Sequence, residues 1–565
     1  MKQLLYKTIF GFFLLSLFSL SLNAQDWQWA VGSKGYQFDY ANNLVTDSKG
    51  NVYICGYYTS PNFSFGSLNV TNRGNEDGFL AKFDEYGNCI WLISFGGEEN
   101  DRPSSMAIYN DTLFVVGYTE SKPAYFGEKQ ISTTQGSDIF FAVVSTKDGS
   151  VFRLYSYSGD GYEDALSIFV LSSKDIYIGG EFSGKTLTLG DFQIKNYNYN
   201  SQYQGMSDGF LAKINSNGEV FWALAFGGVG NDRINRVIAY KTDVPTQDFI
   251  YFIGTFNSNK IGVGNDTLIN WGFSDVFLGQ IKETSVGNKI EPRIMWGRAI
   301  NGTDKEYPTD LAFDFNGLLC IAGEFQSPSL KFGNIELTNK GSYDIFFAKY
   351  DGSGNPYIAF SFGGQADDYA KRIVSDKKGN IYLGGYFASS LLAFDTIVVY
   401  NRSSNQAYSD VYVAKLNIDN KPIWVRTAGG DKEDQSFAIA LDAQDNVYQT
   451  GNFESRNIFF KSFDLYNYGY SNVFVAKINP KLIASAEEFA PEQNVLSPNP
   501  CRNILEIKPD LLENTFVIEI FDLIGRRVLT HHLQNGNIIS LESIPSGIYF
   551  AKFHTRIVPF VKISN

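Results

Sequence analysis

One glycine recurs along this chain at nearly constant spacing, and it constrains the fold more than any other feature. Its copies lie about 66 residues apart on average, and a fixed long period is the mark of a repeat architecture. Each copy ends a short apolar run. The seven copies are Gly56, Gly117, Gly180, Gly254, Gly323, Gly385 and Gly451.

Every repeat contains apolar runs that we label A, B, C and D, although the last repeat lacks run D. In the sixth repeat they span residues 370–376, 381–387, 409–415 and 422–430. Each run is short, rich in β-branched and aromatic residues, and bounded by Gly, Asn or Asp, which is typical of a β-strand. The sequence therefore predicts an all-β fold built from four-stranded units.

Run D carries one marker position, which is a tryptophan in four repeats. In the first six repeats that position is Trp91, Arg153, Trp222, Trp296, Ile358 and Trp424. The seventh repeat has no run D, but residues 27–32 near the start of the chain have its pattern. Because an open sheet edge invites aggregation, we expect this N-terminal strand to complete the last blade. The offset predicts a closed seven-bladed β-propeller and not an open solenoid.

The composition excludes several classes of function. The net charge is −13, which argues against nucleic acid or anionic lipid as a partner. The histidines of the chain are His531, His532 and His554, all near its C-terminus. The repeats therefore contain no histidine for a general base, a Ser-His-Asp triad or a metal site. We predict neither a metal nor a cofactor.

The first 24 residues have the pattern of a secretory signal peptide. Lys2 and Lys7 supply the positive end, residues 9–22 the apolar stretch, and Ala24 and Gln25 flank the expected cleavage site. The apolar stretch is short for a membrane anchor, and no later run is long enough to span a bilayer. We therefore expect a secreted protein whose mature chain has no transmembrane segment.

The connections between runs differ on the two faces of the predicted ring. A-to-B and C-to-D turns are tight, as at residues 47–51, whereas the B-to-C inserts are long and each contains a small predicted hairpin. Variable aromatic loops on a rigid scaffold suit a binding surface for a glycan or a protein. The alternative is that the inserts cover the blade edges. The candidate ligand-binding residues are Tyr197, Tyr199, Tyr203, Tyr400, Tyr466, Tyr468 and Tyr470.

Two sets of aspartates recur near the loop-rich face, one before run A and one before run C. Such a ring suggests a calcium site or glycosidase carboxylates. A functional site usually breaks symmetry, however, whereas a structural device recurs. We therefore favour a role in which each carboxylate accepts backbone N–H bonds in the same turn of every blade, and predict no catalytic residue. The sets are Asp39, Asp101, Asp232, Asp368 and Asp434, and Asp77, Asp138, Asp208, Asp275, Asp344 and Asp410.

The repeats resemble the secreted bacterial β-propeller repeat family. The pattern Asp-x-x-Gly-Asn-x-Tyr-x-x-Gly stands at residues 376–385 and Asp-x-Phe-x-Ala-Lys at residues 344–349. Related patterns recur across residues 26–480, followed by the tryptophan of run D and a Gly-Gly pair. The resemblance implies a propeller fold and an exported protein.

A polar linker, residues 481–493, precedes a tail at residues 494–565 whose strand-like runs suggest a small immunoglobulin-like β-sandwich. The tail resembles the type A C-terminal sorting domain of the type IX secretion system. The resemblance implies the secretion machinery as a partner, export through the outer membrane, removal of the tail within the linker, and attachment to surface lipopolysaccharide or release. The motif residues are Pro498, Asn499, Pro500, Asp522, Gly525, Gly547 and Tyr549.

The predicted organisation is thus a signal peptide (1–24), a propeller (25–480), a linker (481–493) and a sorting domain (494–565). We expect an exported, non-catalytic binding or scaffold protein at the cell surface or in the medium. The alternative is a carbohydrate-active enzyme that uses propeller carboxylates. Buried carboxylates with separated pKa values in one pocket would favour the enzyme, and an aromatic-rimmed face would favour binding.

Overall fold

The first described strand of the computed structural model is β1 (Trp27–Gly32). The chain forms two compact units, Met1–Ile483 and Ala484–Asn565, and each is described by itself. The predicted signal peptide with its cleavage site at Ala24 and Gln25, and the predicted linker, lie outside the described residues. The described residues are 27–134, 136–198, 205–241, 248–286, 289–403, 408–479, 496–497, 502–507, 517–522, 526–532, 538–553 and 556–562.

Each repeat contributes strands in the order A, B, two hairpin strands, C and D. The first repeat contains β2 (Asp39–Thr46), β3 (Val52–Tyr58), β4 (Asn62–Phe65), β5 (Leu68–Thr71), β6 (Asp77–Phe83) and β7 (Cys89–Phe95). The second contains β8 (Asp101–Tyr109), β9 (Thr112–Thr119), β10 (Ala124–Phe126), β11 (Lys129–Ile131), β12 (Asp138–Ser145) and β13 (Val151–Gly159). The third contains β14 (Glu163–Ser172), β15 (Asp175–Phe182), β16 (Thr186–Leu189), β17 (Phe192–Lys195), β18 (Asp208–Ile214) and β19 (Val220–Phe226).

The remaining repeats keep this order, and the seventh lacks strand D. The fourth contains β20 (Asp232–Tyr240), β21 (Phe249–Phe256), β22 (Lys260–Val263), β23 (Asp266–Ile269), β24 (Asp275–Val286) and β25 (Lys289–Ile300). The fifth contains β26 (Glu306–Phe313), β27 (Leu319–Phe325), β28 (Ser329–Phe332), β29 (Ile335–Thr338), β30 (Asp344–Tyr350) and β31 (Pro356–Phe362). The sixth contains β32 (Asp368–Ser375), β33 (Ile381–Phe387), β34 (Leu391–Phe394), β35 (Ile397–Tyr400), β36 (Asp410–Leu416) and β37 (Pro422–Ala428). The seventh contains β38 (Asp434–Leu441), β39 (Val447–Phe453), β40 (Asn457–Phe460), β41 (Phe463–Tyr466) and β42 (Asn472–Ile478).

The main strands form seven antiparallel sheets in the order A-B-C-D, and the predicted propeller is confirmed. Strand A is innermost, and consecutive A strands pack side by side around a central channel. Strands B and C are buried on both faces, as in β27 and β30, because each blade is covered by a neighbour on either side. This burial explains why runs B and C are apolar throughout.

The recurring glycine is explained by a bulge in strand A. In every blade the register between strands A and B slips within the first half of strand A, for example between Ala41 and Asn43. The bulge brings the carbonyl oxygen of Tyr40 against Gly56, where a Cβ atom would collide with it. Gly385 meets Tyr369 in the same way. The glycine period in the sequence therefore records a repeated close approach of two backbones.

The ring closes as the sequence predicts. Strand β1 pairs antiparallel with β42, with Ala30 opposite Ala476 and Val31 opposite Val475, so it supplies the missing strand D of the seventh blade. Trp27 is 2% exposed, and its ring centroid lies 4.8 Å from that of Phe460. The N-terminal strand is thus part of the last blade's core.

The insert hairpins link neighbouring blades. The first strand of each hairpin alternates buried apolar residues with others, as Phe63 and Phe65 do in β4. Its backbone also bonds to the end of strand D of the preceding blade. Ser64 and Lys34 exchange two N–H···O bonds across the closure, and Gly96 and Tyr125 exchange two at the next junction. These hairpins cover blade edges, and the insert residues between each hairpin and strand C are left to face solvent.

The C-terminal unit contains two antiparallel sheets, ordered β43-β44-β47 and β46-β45-β48-β49. Leu505 and Ile539 of the first sheet pack with Ile518, Ile520 and Ala551 of the second. This packing agrees with the predicted sandwich, and its immunoglobulin-like topology stays a prediction. The strands are β43 (Leu496–Ser497), β44 (Ile504–Ile507), β45 (Val517–Asp522), β46 (Arg527–His532), β47 (Ile538–Ser540), β48 (Gly547–Phe553) and β49 (Arg556–Lys562).

Closure by β1 predicts a large effect of one substitution. Trp27→Ala removes a fully buried ring from the last blade and should destabilise the propeller by about 3–5 kcal/mol. Thermal unfolding of the purified full chain measures this. The matched control is Tyr36→Ala, because Tyr36 is 73% exposed a few residues later. An unchanged melting temperature for the Trp27 variant would contradict the closure.

Candidate functional site

The first set of repeated acids has a structural role at the start of strand A. Asp434, for example, is fully buried and accepts a hydrogen bond of 2.8 Å from Ser455 Oγ, the serine that follows strand B. Asp368 accepts the same bond from Ser389 at 2.7 Å. Glu163 and Glu306 hold this place in the third and fifth blades, which the aspartate pattern in the sequence missed.

The second set holds the end of the insert in the same way in six blades, and Asn472 does so in the seventh, where its Oδ1 accepts the N–H of Tyr468 at 2.9 Å. Asp344 Oδ2 accepts the backbone N–H of Lys340 at 2.8 Å, and Asp275 Oδ2 accepts that of Trp271 at 2.7 Å. Both sets therefore bond repeated backbone groups, which supports the structural interpretation. Within the described residues, no cluster of three or more Asp, Glu, His or Cys side chains is arranged to hold a metal ion.

The two sets meet in pairs at six of the seven blade junctions. Burial raises the pKa of Asp410 to about 7. Burial, together with the charge of Asp410, raises the pKa of Asp434 well above its ordinary value. Asp410 Oδ1 is buried without a hydrogen-bond partner among the described residues. At the closure junction an amide replaces one acid, since Asn472 Nδ2 donates to Asp39 Oδ2 at 3.5 Å. The paired acids are Asp77 and Asp101, Asp138 and Glu163, Asp208 and Asp232, Asp275 and Glu306, Asp344 and Asp368, and Asp410 and Asp434.

These acids make stability depend on pH. Because their folded pKa values lie above the unfolded values, their stabilisation is complete below about pH 4 and is lost as the pH rises through about 6–8. Asp410→Asn reproduces the amide of the closure junction. It should raise stability at pH 8 by an amount on the order of 1 kcal/mol and change it less at pH 5.

Thermal unfolding of the full chain at both pH values checks this, with the exposed Glu128→Gln as control. Equal destabilisation of the Asp410 variant at pH 5 and pH 8 would contradict a raised pKa of Asp410 in the folded protein.

The residue that follows the buried acid on strand A differs from blade to blade, unlike the acid itself. There the first residue after the buried acid faces a residue of strand B, at the mouth of the channel on the loop-rich face. We call these seven pairs the funnel ring. They are Tyr40 with Tyr57, Arg102 with Tyr118, Asp164 with Glu181, Arg233 with Thr255, Tyr307 with Glu324, Tyr369 with Tyr386, and Gln435 with Asn452.

Aromatic side chains form a band along one side of the funnel ring. Ring centroids lie 6.3 Å apart for Tyr307 and Tyr343, 5.7 Å for Tyr343 and Tyr369, and 4.8 Å for Tyr369 and Tyr386. Phe437 continues the band at 6.1 Å from Tyr386. These centroid separations are typical of aromatic rings in contact, so the fifth, sixth and seventh blades present one aromatic surface.

A second aromatic group stands across the closure of the ring. The rings of Tyr40 and Tyr57 are stacked at 5.1 Å, and Phe38 stacks on Tyr470 at 5.1 Å and on Tyr40 at 6.4 Å. The guanidinium of Arg102 lies 4.1 Å from the centre of the Tyr57 ring. The mouth is therefore rimmed by aromatic residues on two sides.

Charged groups of the funnel ring are mostly paired. Arg102 bonds through two nitrogens to Glu76, with Nη2 2.7 Å from Oε1. Lys371 Nζ lies 3.0 Å from Glu324 Oε1 and 4.7 Å from the centre of the Tyr369 ring. Both cations are fixed by carboxylates and present their aliphatic or planar surfaces beside tyrosines.

A cavity of about 430 Å³ opens where the third, fourth and fifth blades meet at the funnel ring. Ser207 Oγ donates to Glu181 Oε2 at 2.8 Å, and Ser207 N donates to Asn231 Oδ1 at 3.0 Å. We call it the funnel pocket. It is lined by Glu181, Ser207, Asn231, Arg233, Thr255, Asn257 and Tyr307.

Asp164 lies opposite Glu181 across strands β14 and β15. The pKa of Asp164 is raised to about 7, mainly by burial. The 2.9 Å hydrogen bond that Ser104 Oγ donates opposes this rise, and the charge of Glu181 contributes to it. Asp164 is 8% exposed and does not line the funnel pocket, whereas Glu181 does. The two carboxyl groups thus lie in different environments, and only that of Glu181 faces the pocket.

A charged network crosses the channel below the mouth. Arg236 Nε lies 3.1 Å from Asp310 Oδ1, and Arg372 Nη1 lies 3.6 Å from the same oxygen. Arg236 also reaches Ser105 of the second blade, and Arg372 reaches Asn43 of the first. Side chains of five blades therefore meet in mid-channel and form a floor under the funnel ring.

The tyrosines predicted as ligand-binding residues are dispersed over the loop-rich face. Tyr197 and Tyr400 are each 69% exposed, and Tyr466 and Tyr468 contact each other at 5.2 Å. Tyr470 joins the funnel ring through Phe38. Tyr199 and Tyr203 lie outside the described residues.

The funnel ring itself was missed by the sequence-based prediction. Its positions directly follow the repeated acid of strand A and differ from blade to blade, so a pattern defined by identical residues does not include them. Variation at one fixed place in otherwise regular repeats is the signal that could have found them.

Three residues of the predicted sorting motif lie among the described residues. Asp522 and Tyr549 face each other across β45 and β48, and Gly547 begins β48. Asp522 Oδ1 accepts the N–H of Arg526 at 2.9 Å, and the Tyr549 hydroxyl donates to the Pro545 carbonyl at 2.8 Å. Pro498, Asn499, Pro500 and Gly525 fall outside the described part of the chain.

Comparison with known families identifies the C-terminal unit. Residues 496–560 match the family described as a secretion system C-terminal sorting domain. The predicted resemblance to a type IX sorting domain is confirmed, and the chain is a protein exported to the cell surface or secreted. Among the described residues, no helix has the length and apolar character that crossing a membrane requires.

Curated relatives of the chain are distant. It is 21% identical over 510 residues to an uncharacterized WD repeat-containing protein of Acanthamoeba polyphaga mimivirus, covering 76% of this chain and 36% of the relative. It is 22% identical over 313 residues to the regulatory protein FlaEY of Caulobacter vibrioides, covering 52% and 30%. The chain therefore spans about a third of the length of the curated relatives it matches.

Solved structures give a similarly distant match. The Dos1 propeller aligns with a TM-score of 0.36 and 9% identity, covering 79% of this chain and 95% of that chain. The propeller assignment rests on the strand order and closure of the chain itself.

Proposed function

We propose that this exported protein is a non-catalytic glycan-binding protein whose ligand lies across the funnel ring. The observation that carries the proposal is the break in symmetry. The acids, glycines and hairpins repeat from blade to blade. At the register position of the funnel ring, by contrast, the side chain changes from one blade to the next and is mostly aromatic, charged or an amide.

The chemistry of the funnel ring suits a carbohydrate. Tyrosine rings offer flat apolar faces against which sugar rings pack, and their hydroxyls bond to sugar hydroxyls. The partly exposed Gln435 amide and Glu181 carboxylate add further partners at the same level.

The floor of the channel supports binding across the mouth. Arg236, Asp310 and Arg372 occupy the mid-channel, so a glycan chain does not thread through the ring. A chain lying over the aromatic bands would contact several blades at once, which increases affinity without deep burial.

A carboxylate-dependent glycosidase is the second candidate. Asp164 and Glu181 favour it, because they face each other across two strands and burial raises the pKa of Asp164 to about 7. The exclusion of Asp164 from the funnel pocket disfavours it. New reducing ends released from an oligosaccharide by the protein, and lost in Glu181→Gln, would replace the binding proposal with the enzyme.

Glycan binding predicts which tyrosines matter. Tyr40→Ala and Tyr369→Ala should each weaken binding of an array-identified oligosaccharide by about 1 kcal/mol while leaving folding intact, because both rings are half-exposed at the mouth. Binding of the full chain is measured by calorimetry. Tyr86→Ala, 72% exposed on a C-to-D turn of the opposite face, is the control.

A triple alanine variant at Tyr197, Tyr199 and Tyr203 separates the funnel ring from the inserts. Loss of binding in the triple variant but not in the ring variants would move the ligand to the inserts. Loss in the Tyr86 variant alone would overturn the choice of face.

We further propose that export uses residues 1–24 and 494–565, both removed from a mature chain of about residues 25–480. A truncation after residue 480 that keeps the signal peptide should accumulate in the periplasm, because it lacks the address that the type IX machinery recognises. The full chain should appear at the surface in shortened form. Mass spectrometry of surface material decides this, since peptides from residues 504–562 in the mature product would contradict removal of the tail.

A further inference from the structure

Arg233 is the charged residue of the funnel ring that stands without a partner. No hydrogen bond or ion pair joins its guanidinium to another side chain in the described part of the protein, although it lines the funnel pocket. The other cation of the ring, Arg102, bonds to Glu76, and Lys371, two residues beyond Tyr369 of the ring, bonds to Glu324. Arg233 therefore offers unused N–H donors to whatever enters the pocket.

The surroundings hold this guanidinium near the pocket without neutralising it. Its charge acts on two buried carboxylates, Asp164 and Glu324, of the neighbouring blades. Asp164 is engaged by Ser104, and Glu324 by Lys371. Neither lies within hydrogen-bonding distance of Arg233, so attraction at longer range positions the cation while its planar fork stays free.

The rest of the funnel pocket is built for a hydroxylated ring. Glu181 and Asn231 are each fixed by one bond from Ser207, which leaves the second Glu181 oxygen and the Asn231 amide group to face a ligand. The Asn257 side chain and the Tyr307 ring complete the wall. A volume of about 430 Å³ lies in the range of small-molecule pockets and is large enough for one or two sugar rings.

We propose that the funnel pocket binds a sugar residue that carries a carboxylate, with Arg233 pairing its two oxygens and Glu181, Asn231 and Asn257 bonding its hydroxyls. The inference rests on the proposed glycan-binding function and names its ligand class. A guanidinium fork matches a planar carboxylate through two parallel hydrogen bonds.

The charged groups around the pocket favour a ligand with one negative charge over a ligand with two. A phosphate ester would bring close to two charges into a site that already contains Glu181 and lies near Asp164 and Glu324. Repulsion from these carboxylates would offset the gain from one guanidinium. A carboxylate brings one negative charge and can accept both hydrogen bonds of the Arg233 guanidinium, so the pocket favours a uronate-type sugar over a phosphorylated one.

The test compares matched oligosaccharides on the purified full chain. Glucuronate- and galacturonate-containing oligosaccharides are titrated beside their carboxyl-reduced counterparts and beside a glucose phosphate. The native chain should bind an acidic form at least about 10-fold more tightly than its reduced form, as expected for charge-assisted hydrogen bonds.

Arg233→Gln should abolish this preference while keeping the affinity for the reduced form, and Arg233→Lys should keep part of it. The matched control is Arg293→Gln, because Arg293 is an exposed arginine on β25, towards the opposite face. Equal melting temperatures establish that the variants are folded.

The outcomes separate this inference from the proposed function. Binding of neutral oligosaccharides without any acid preference, a preference that survives in Arg233→Gln, or tighter binding of the sugar phosphate would each overturn the carboxylate pocket alone. Absence of binding to every oligosaccharide by the native chain would overturn both.

Discussion

The blades depend on one recurring contact, a buried acid at the start of strand A that accepts a hydrogen bond from the serine after strand B. Ser60, Ser121, Ser258, Ser327, Ser389 and Ser455 supply this bond, and in the third blade Glu163 instead accepts the N–H groups of Gly159 and Gly161. A buried carboxylate without partners is costly. The serine and the retained proton offset that cost, and together they fix where strands A and B begin at the loop-rich face.

The fold could be predicted from the sequence because its determinants are local and repeated. Short β-branched runs between Gly and Asn turns specify strands. The run D pattern at residues 27–32 specifies closure, and in the structure Trp29 lies opposite Lys477 as Trp424 lies opposite Lys415. The recurring glycine is needed because the bulge after Tyr40 or Tyr369 presses a carbonyl onto strand B. Repetition turned a weak local signal into a strong one, since chance does not place the same collision in seven blades.

The candidate site could not be predicted in the same way. It depends on which residues face each other across paired strands and between blades, and the sequence does not show these pairings. Asp164 and Glu181 are neighbours only through the pairing of β14 with β15. Tyr343 and Tyr369 meet although they belong to different blades. The tyrosines of the inserts were conspicuous in sequence, yet Tyr470 contacts the mouth and Tyr466 and Tyr468 contact each other. Aromatic content drew the prediction to the loop-rich face, and packing between blades decides which rings converge there.

The channel carries less negative charge than the formal charge of the whole chain implies. The formal charge of −13 counts every acid as ionised, whereas burial raises the pKa of junction acids such as Asp368 and Asp410 to about 7. Acids that keep protons contribute no negative charge to the channel they surround. The A strands of alternate blades meanwhile carry five cations, Arg102, Arg233, Arg236, Lys371 and Arg372. An acidic surface that keeps the exported protein soluble is thus compatible with a mouth able to accept a negatively charged group.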